Sequence, residues 1–114
     1  MLNLEDFHNR RNAGNTLISK ENNIRFNRFL NLDTNAYAEG EISAKHKELI
    51  GLACSTVLRC NDCIVYHIDQ SHKLGCTKNE ITETLNIALV IGGSIVIPHL
   101  RYALKILNEL YVEK

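Results

Sequence analysis

The sequence has no excess of charge of either sign, because its 13 lysine and arginine residues balance 13 aspartate and glutamate residues. Such a balance argues against a basic surface for nucleic acid and against a patch attracted to an anionic membrane. The short basic stretch of His8, Arg10 and Arg11 is explained at least as well by the exposed face of a helix. We therefore expect neither a nucleic-acid nor a membrane partner.

Long apolar runs are also missing. The longest, IALVIGGSIVI at 87–97, is too short for a membrane-spanning helix and contains two glycines and a serine. The N-terminal MLNLEDFHNRRN lacks the apolar segment of a secretory signal. We expect a cytoplasmic protein, and in that reducing compartment its four cysteines are more often free, catalytic or metal-bound than paired in structural disulfides.

Proline occurs once, at Pro98, and no long segment alternates apolar with polar residues. These absences favour helices over strands, and 114 residues are typical of one domain, so we predict a compact all-α domain over residues 1–114. The turn-rich segment NLDTNAYAEGE separates the second helix from the third. The predicted helices cover about 4–19, 21–31, 44–58, 61–73, 78–91 and 98–111.

Several helix ends have recognisable signals. Ser43 is a good N-cap, Gly75 suits the position after a helix end, and Thr77 with Glu80 has the spacing of a capping box. From Leu49 onward the third helix is apolar nearly all round. We therefore expect that helix to be buried.

The strongest chemical signal is the segment RCNDCIVYH, which holds a CxxC pair and a histidine. If Cys60 lies at the start of the next helix, Cys60, Cys63 and His67 share one face with an angular spread of about 60°. His67 is then one turn beyond Cys63, close enough to exchange a proton with its sulfur. The unpaired amides of a helix N-terminus favour thiolate over thiol, whereas Asp62 opposes thiolate if its carboxylate faces the sulfurs.

Three interpretations of this cluster stay open at this stage. The first is a reactive dithiol, since CxxC spacing allows the Cβ separation of about 4.5 Å that a disulfide needs. The second is a zinc site completed by His72, although His72 lies about 140° around the helix from His67. Cys54 or Cys76 could supply the fourth ligand only through tertiary folding. The third is a set of ordinary buried residues, which is our interpretation of Cys54 and Cys76.

Several motifs occur together in one order over residues 43–93: KELIGLACS, CNDCIVYH, LGCTKNEITETL and IGG. This combination resembles the alkylhydroperoxidase D-like proteins of the carboxymuconolactone decarboxylase family. The upstream FNRFLNLDTNAYAEGEIS and the C-terminal IPHLRYALKILNEL also suit that family. The resemblance therefore covers most of the chain.

The resemblance implies a compact all-α fold that assembles as a homotrimer or homohexamer, and a thiol-dependent reduction of hydroperoxides. It implies the catalytic residues Cys60, Cys63 and His67, with Glu48 as the acid in the preceding helix; spacing alone favours a solvated charge at Glu48. The best-known members have a histidine where this chain has Asp62. The implied partners are a hydroperoxide and an external dithiol or lipoyl-type electron donor, with no bound cofactor or metal.

Members without CxxC include the lactone decarboxylase that gives the family its name, and the cysteine pair argues against that chemistry here. A zinc-binding or non-catalytic interaction protein is the alternative function.

Within the redox interpretation, we predict that Cys63 attacks the peroxide because it is the cysteine nearer His67. Cys60 then closes the disulfide and, as the more exposed sulfur, receives the electron donor.

Overall fold

The structure is a computed structural model that describes residues 3–112, and within that range it contains helices and no strand. The all-α prediction is thereby confirmed. A short 3₁₀ turn at Ser94–Val96 joins the last two helices. The helices are α1 (Leu4–Lys20), α2 (Ile24–Ala36), α3 (Ala44–Val57), α4 (Asn61–Lys73), α5 (Lys78–Gly92) and α6 (Ile97–Leu110).

The centre of the fold is an antiparallel hairpin of α3 and α4. α5 packs against α3, and α6 packs against α4. The apolar core lies between these four helices, with Phe7 of α1 packed against it. Its fully buried large side chains include Leu52, Ile64, Val65, Ile68, Ile81, Leu85, Ile106 and Leu107.

The predicted caps of the middle helices are present. The Ser43 hydroxyl accepts a hydrogen bond from the backbone N–H of His46, and Thr77 and Glu80 form a reciprocal capping box. Gly75 follows the end of α4 with φ of +87°, a left-handed conformation in which a side chain would be strained. These caps fix the start of α3, the end of α4 and the start of α5.

The second helix was predicted too short. α2 begins after an asparagine cap at Asn23 and continues to Ala36, so half of the turn-rich segment is helical. The Thr34 hydroxyl donates a hydrogen bond to the carbonyl of Leu30, so this polar side chain is satisfied within the helix. No glycine or proline interrupts the segment before Gly40, so nothing in it forces an earlier end.

The expectation that α3 is buried along its apolar part is wrong for several residues. Leu52 is fully buried, but Ile50 is 50% exposed, Leu58 is 75% exposed, and Cys54 is also exposed. α4 and α5 cover only part of the circumference of α3, so the remaining side of this helix is open in the single chain. Across residues 3–112, no helix is both long enough and apolar enough to span a bilayer.

Candidate redox site

Cys60 and Cys63 lie at the N-terminus of α4 and form a disulfide, with Cα atoms 5.3 Å apart. Cys60 is the N-cap residue, and its sulfur accepts a hydrogen bond of 3.3 Å from the backbone N–H of Cys63. The preceding turn reverses the chain through Arg59, which has φ of +62°. The helix end therefore directs a backbone donor at the Cys60 sulfur, as the sequence predicted for this helix start.

One turn further along α4, His67 forms a buried pair with Glu48 of α3. The His67 Nδ1–H donates to Oε2 of Glu48 across 2.7 Å, and the two side chains are only 8% and 7% exposed. The solvated charge that spacing alone favoured for Glu48 is therefore wrong. Because a carboxylate only accepts, the proton between them lies on Nδ1, and the lone pair of neutral His67 is on Nε2.

Tyr37 is a residue of the site that the sequence analysis missed. Its hydroxyl lies 3.4 Å from Nε2 of His67, and the two rings are 5.2 Å apart between centroids. Burial and the carboxylate of Glu48 raise the pKa of Tyr37, so its hydroxyl keeps its proton at neutral pH. No spacing rule connects Tyr37 to the CxxC motif, because it lies in the loop after α2.

Gly51 makes the approach of Tyr37 to His67 possible. A Cβ atom at this position would lie 2.6 Å from Cε1 of His67 and 2.7 Å from the Tyr37 hydroxyl. Real Cβ atoms essentially never make such close contacts, so position 51 must lack a side chain. A glycine inside an apolar helix costs about 1 kcal/mol relative to alanine, and that cost is the sequence signal that marks this position.

Asp62, between the cysteines, points away from them toward α1. Its carboxylate accepts two hydrogen bonds from the guanidinium of Arg10, at 2.7 and 2.8 Å. The Arg10 guanidinium holds the pKa of Asp62 below its usual range, although partial burial opposes the shift. The opposition to thiolate expected from Asp62 is thus offset by a paired positive charge.

A cavity of about 490 Å³ opens beside Cys63. Cys63 and His67 both line it, whereas Cys60 does not. Its other walls come from α1, α2 and α4 and include Phe7, Arg10, Arg11, Ile18, Asp33 and Tyr66. In the single chain Cys63 is exposed and Cys60 only partly exposed, so the expectation that Cys60 is the more exposed cysteine is wrong.

His72 and Cys76 lie apart from this cluster, whereas Cys54 lies on α3 three residues beyond Gly51. His72 packs edge-on against Tyr111, with ring centroids 4.9 Å apart. Cys54 is exposed, against our interpretation of it as buried, while Cys76 is buried, and burial raises the pKa of the Cys76 thiol. Among residues 3–112 no three histidine, cysteine or acidic side chains are grouped as a metal site would require.

The comparison with protein families agrees with this fold. Residues 26–109 match the carboxymuconolactone decarboxylase family. That match covers most of the chain, and the protein belongs to this family.

Similar proteins come from several bacteria. The structure of TM1620 from Thermotoga maritima is 47% identical, with 93% of each chain covered and a TM-score of 0.90. A second structure of TM1620, 48% identical over 92% of this chain and 89% of that one, has a TM-score of 0.87; its description suggests an involvement in antioxidative response. The structure of lpg0406, a carboxymuconolactone decarboxylase family protein from Legionella pneumophila, is 27% identical and has a TM-score of 0.86. The match covers 94% of this chain and 96% of that one.

Proposed function

We propose that this protein is a thiol-dependent peroxidase, a disulfide oxidoreductase that reduces hydroperoxides through Cys60 and Cys63. The observation that supports this proposal best is the buried Glu48–His67 pair one turn from a CxxC, with Cys63 and His67 lining the same cavity. A base held by a buried carboxylate, next to a thiol that solvent can reach, is the arrangement that activates a nucleophile. The suggested antioxidative role of TM1620 is consistent with it.

In the first step His67 removes the proton of the Cys63 thiol, and the thiolate attacks the terminal oxygen of the hydroperoxide. The O–O bond breaks, Cys63 becomes a sulfenic acid, and the departing alkoxide takes the proton from His67 and leaves as an alcohol. Glu48 keeps its negative charge throughout. Its contact with Nδ1 stabilises the imidazolium that exists between the two proton transfers.

In the second step the Cys60 thiol attacks the sulfur of the Cys63 sulfenic acid. A disulfide forms, and the hydroxyl departs as water with the proton of Cys60. An external dithiol or lipoyl-type donor then supplies two electrons and two protons, which restores both thiols and oxidises the donor to its own disulfide. We place this cycle in the cytoplasm, where such donors are kept reduced.

The donor step has a preferred target in this geometry. Cys63 is exposed and lines the cavity, so the donor thiolate attacks Cys63 and forms the mixed disulfide there. Cys60 is then the leaving thiolate. The N–H of Cys63, which points at the Cys60 sulfur, stabilises the charge as it develops. This assignment reverses our expectation from the sequence that Cys60 receives the donor.

A coupled assay tests the proposed function. Purified protein is given hydrogen peroxide, tert-butyl hydroperoxide or cumene hydroperoxide, each with dihydrolipoamide, reduced thioredoxin or dithiothreitol as the donor. We expect peroxide consumption that equals the donor disulfide formed and that is lost in Cys63→Ser. The absence of turnover with every combination would refute the proposal.

Zinc binding is the alternative use of the same side chains, and elemental analysis of protein purified without chelator distinguishes the two. If the site is a redox site, we expect less than about one zinc per ten chains and no unfolding when a chelator is added. A structural zinc supplies folding free energy, so its removal would unfold the protein. Stoichiometric zinc, lost together with the fold, would replace the peroxidase proposal. Ordinary thiol reactivity at both Cys60 and Cys63 would favour a non-catalytic interaction protein.

We also propose that the protein assembles from several copies, as a homotrimer or homohexamer. The single chain exposes large apolar side chains on two surfaces, one on α2 and one where α3 meets α5. The second includes Leu58, Val90 and Ile91, which are 75%, 82% and 69% exposed. Apolar patches of this kind are typical of subunit interfaces, and a chain of 114 residues benefits from the additional burial.

A further inference from the structure

Tyr37 is held near His67 by hydrogen bonds that also satisfy carbonyls at the C-terminal end of α2. Lys47 of α3 donates hydrogen bonds to the carbonyls of Ala36 and Ala38, at 2.9 and 2.7 Å. These two carbonyls flank Tyr37 in the chain, so Lys47 fastens the loop on both sides of it. Since Lys47 precedes Glu48 directly, the same turn of α3 holds the partners of both His67 nitrogens.

The orientation of the His67 ring explains why this matters. Glu48 contacts Nδ1, and Gly51, three residues further along α3, lies beside Cε1 and Nε2. α3 runs toward the turn that leads into Cys60, where the N–H of Cys60 donates to the carbonyl of Ser55. Nε2 is therefore the nitrogen directed toward the cysteine end of the hairpin, and Tyr37 is the residue at that nitrogen.

We propose that Tyr37 is a positioning residue of the redox site, which acts through His67 and completes a Glu48–His67–Tyr37 relay. In neutral His67 the phenol O–H donates to the Nε2 lone pair and fixes the ring plane. Because Nε2 has one lone pair, the phenol O–H turns away from it as His67 takes the proton of Cys63. The new Nε2–H then donates to the phenol oxygen, since a phenol both donates and accepts. The inference rests on the proposed function in one respect, that Cys63 is the thiol that loses its proton to His67.

The separation of 3.4 Å is longer than a strong hydrogen bond, and the structure is that of the disulfide form. Contacts of catalytic groups are often long before the reacting form is present. We expect this contact to shorten in the reduced protein, where His67 acquires positive charge next to the thiolate. A hydrogen bond to a charged group is stronger and shorter than one between neutral groups.

Replacing Tyr37 with phenylalanine tests the role of the hydroxyl and keeps the ring. Phenylalanine cannot accept from the imidazolium, which would then hold a buried N–H without a partner. Protonation of His67 becomes less favourable, so the Cys63 thiolate forms at higher pH. From the usual worth of one hydrogen bond, we expect alkylation of Cys63 at pH 7 to be about 3- to 10-fold slower, with its midpoint about 0.5 to 1 pH unit higher.

The measurement uses reduced protein in the Cys60→Ser background, iodoacetamide at pH 5 to 10, and mass spectrometry of the peptide that contains Cys63. Tyr111→Phe is the matched control, because Tyr111 is also part-buried and donates its hydroxyl to the carbonyl of Cys76, far along the chain from the site. Gly51→Ala is a second variant, in which the new Cβ clashes with both the Tyr37 hydroxyl and the His67 ring and so disturbs their contact. It should shift the midpoint in the same direction as Tyr37→Phe.

A Tyr37→Phe profile within 0.2 pH unit of the Tyr111→Phe profile would overturn the proposal, with or without a shift in Gly51→Ala. The readout contains no peroxide, so it separates the two hypotheses. If the unmodified protein reduces no peroxide but Tyr37→Phe shifts the midpoint, the relay stands and the peroxidase proposal fails. If peroxide is reduced and the midpoint does not move, only the role of Tyr37 is refuted.

Discussion

The carboxylate of Glu48 and the imidazole of His67 meet at 2.7 Å although they belong to different helices, and both are buried beside a disulfide that solvent can reach. Removing charge from water is costly unless a partner compensates it. Glu48 supplies the charged partner at Nδ1, and Nε2, which faces the Tyr37 hydroxyl, is the nitrogen that takes part in proton transfer. The five predictions that follow test this site and the surfaces around it.

Replacement of Glu48 or His67 with glutamine should slow Cys63 alkylation near pH 7 by about tenfold, less than the roughly hundredfold or more that a general base contributes to a catalysed step. Glu48→Gln keeps an acceptor for the Nδ1–H but loses the charge that stabilises imidazolium. His67→Gln removes the base. pH–alkylation profiles of the reduced proteins measure both effects, and circular dichroism establishes that the fold is kept. Glu83→Gln, on the exposed part of α5, is the matched control. Unchanged profiles in both variants would exclude the pair from the mechanism.

Cys63 should be the cysteine that attacks peroxide. In Cys60→Ser, one equivalent of peroxide with a dimedone-type trap should label Cys63, because that residue lines the cavity together with His67. In Cys63→Ser, labelling of Cys60 should fall to less than about a tenth, since Cys60 lies nearly two turns from His67 along the helix. Peptide mass spectrometry identifies the labelled residue. The opposite pattern would mean that the helix N-terminus, and not the histidine, selects the nucleophile.

The Arg10–Asp62 pair should protect the reactivity of Cys63. In Arg10→Gln the Asp62 carboxylate loses its partner and opposes the thiolate, so alkylation at pH 7 should be about two- to threefold slower. Adding Asp62→Asn removes that negative charge and should restore the rate. Alkylation in low salt and in 0.5 M NaCl measures the effect, which salt should reduce. Equal rates in the single and double variants would contradict the electrostatic explanation.

The same pair makes a pH-dependent contribution to stability. The folded-state pKa of Asp62 is below the usual 3.8. The contribution is therefore present above pH 3.8 and is lost as the pH falls through the lowered pKa of Asp62. Both side chains are about half exposed, so solvent screens the pair and its contribution is small. Thermal unfolding should therefore show a small difference between Arg10→Gln and the unmodified protein at pH 7 and a smaller difference at pH 2.5. An equal difference at both pH values would contradict this explanation.

The exposed surface where α3 meets α5 should be a contact between copies of the chain. The unmodified protein should scatter light as a trimer or hexamer at micromolar concentration. Val90→Glu should reduce the measured mass, because a charge at an 82% exposed apolar position would be buried in the interface. Asn108→Glu adds the same charge to an exposed polar position on α6 and is the control. A monomer in the unmodified protein would refute the assembly.

Much of the fold was determined locally. Ser43, Thr77 and Gly75 act within one or two turns of their own positions, so their effect on helix ends is visible in the sequence. The one-face placement of Cys60, Cys63 and His67 is also local, because it depends only on the pitch of α4. The length of α2 was misjudged, since asparagine and threonine are compatible with both turn and helix.

The environment of the cysteine pair depended on tertiary structure. Helical spacing places His67 next to Cys63, but only the packing of α3 on α4 brings the Glu48 carboxylate to Nδ1 and removes it from water. The loop after α2 adds the Tyr37 hydroxyl through Lys47, and Gly51 leaves the space for it. Side chains far apart in sequence meet when their helices bury a common apolar core. The periodicity of one helix shows which of its own residues share a face, but not which polar groups of another helix will meet them.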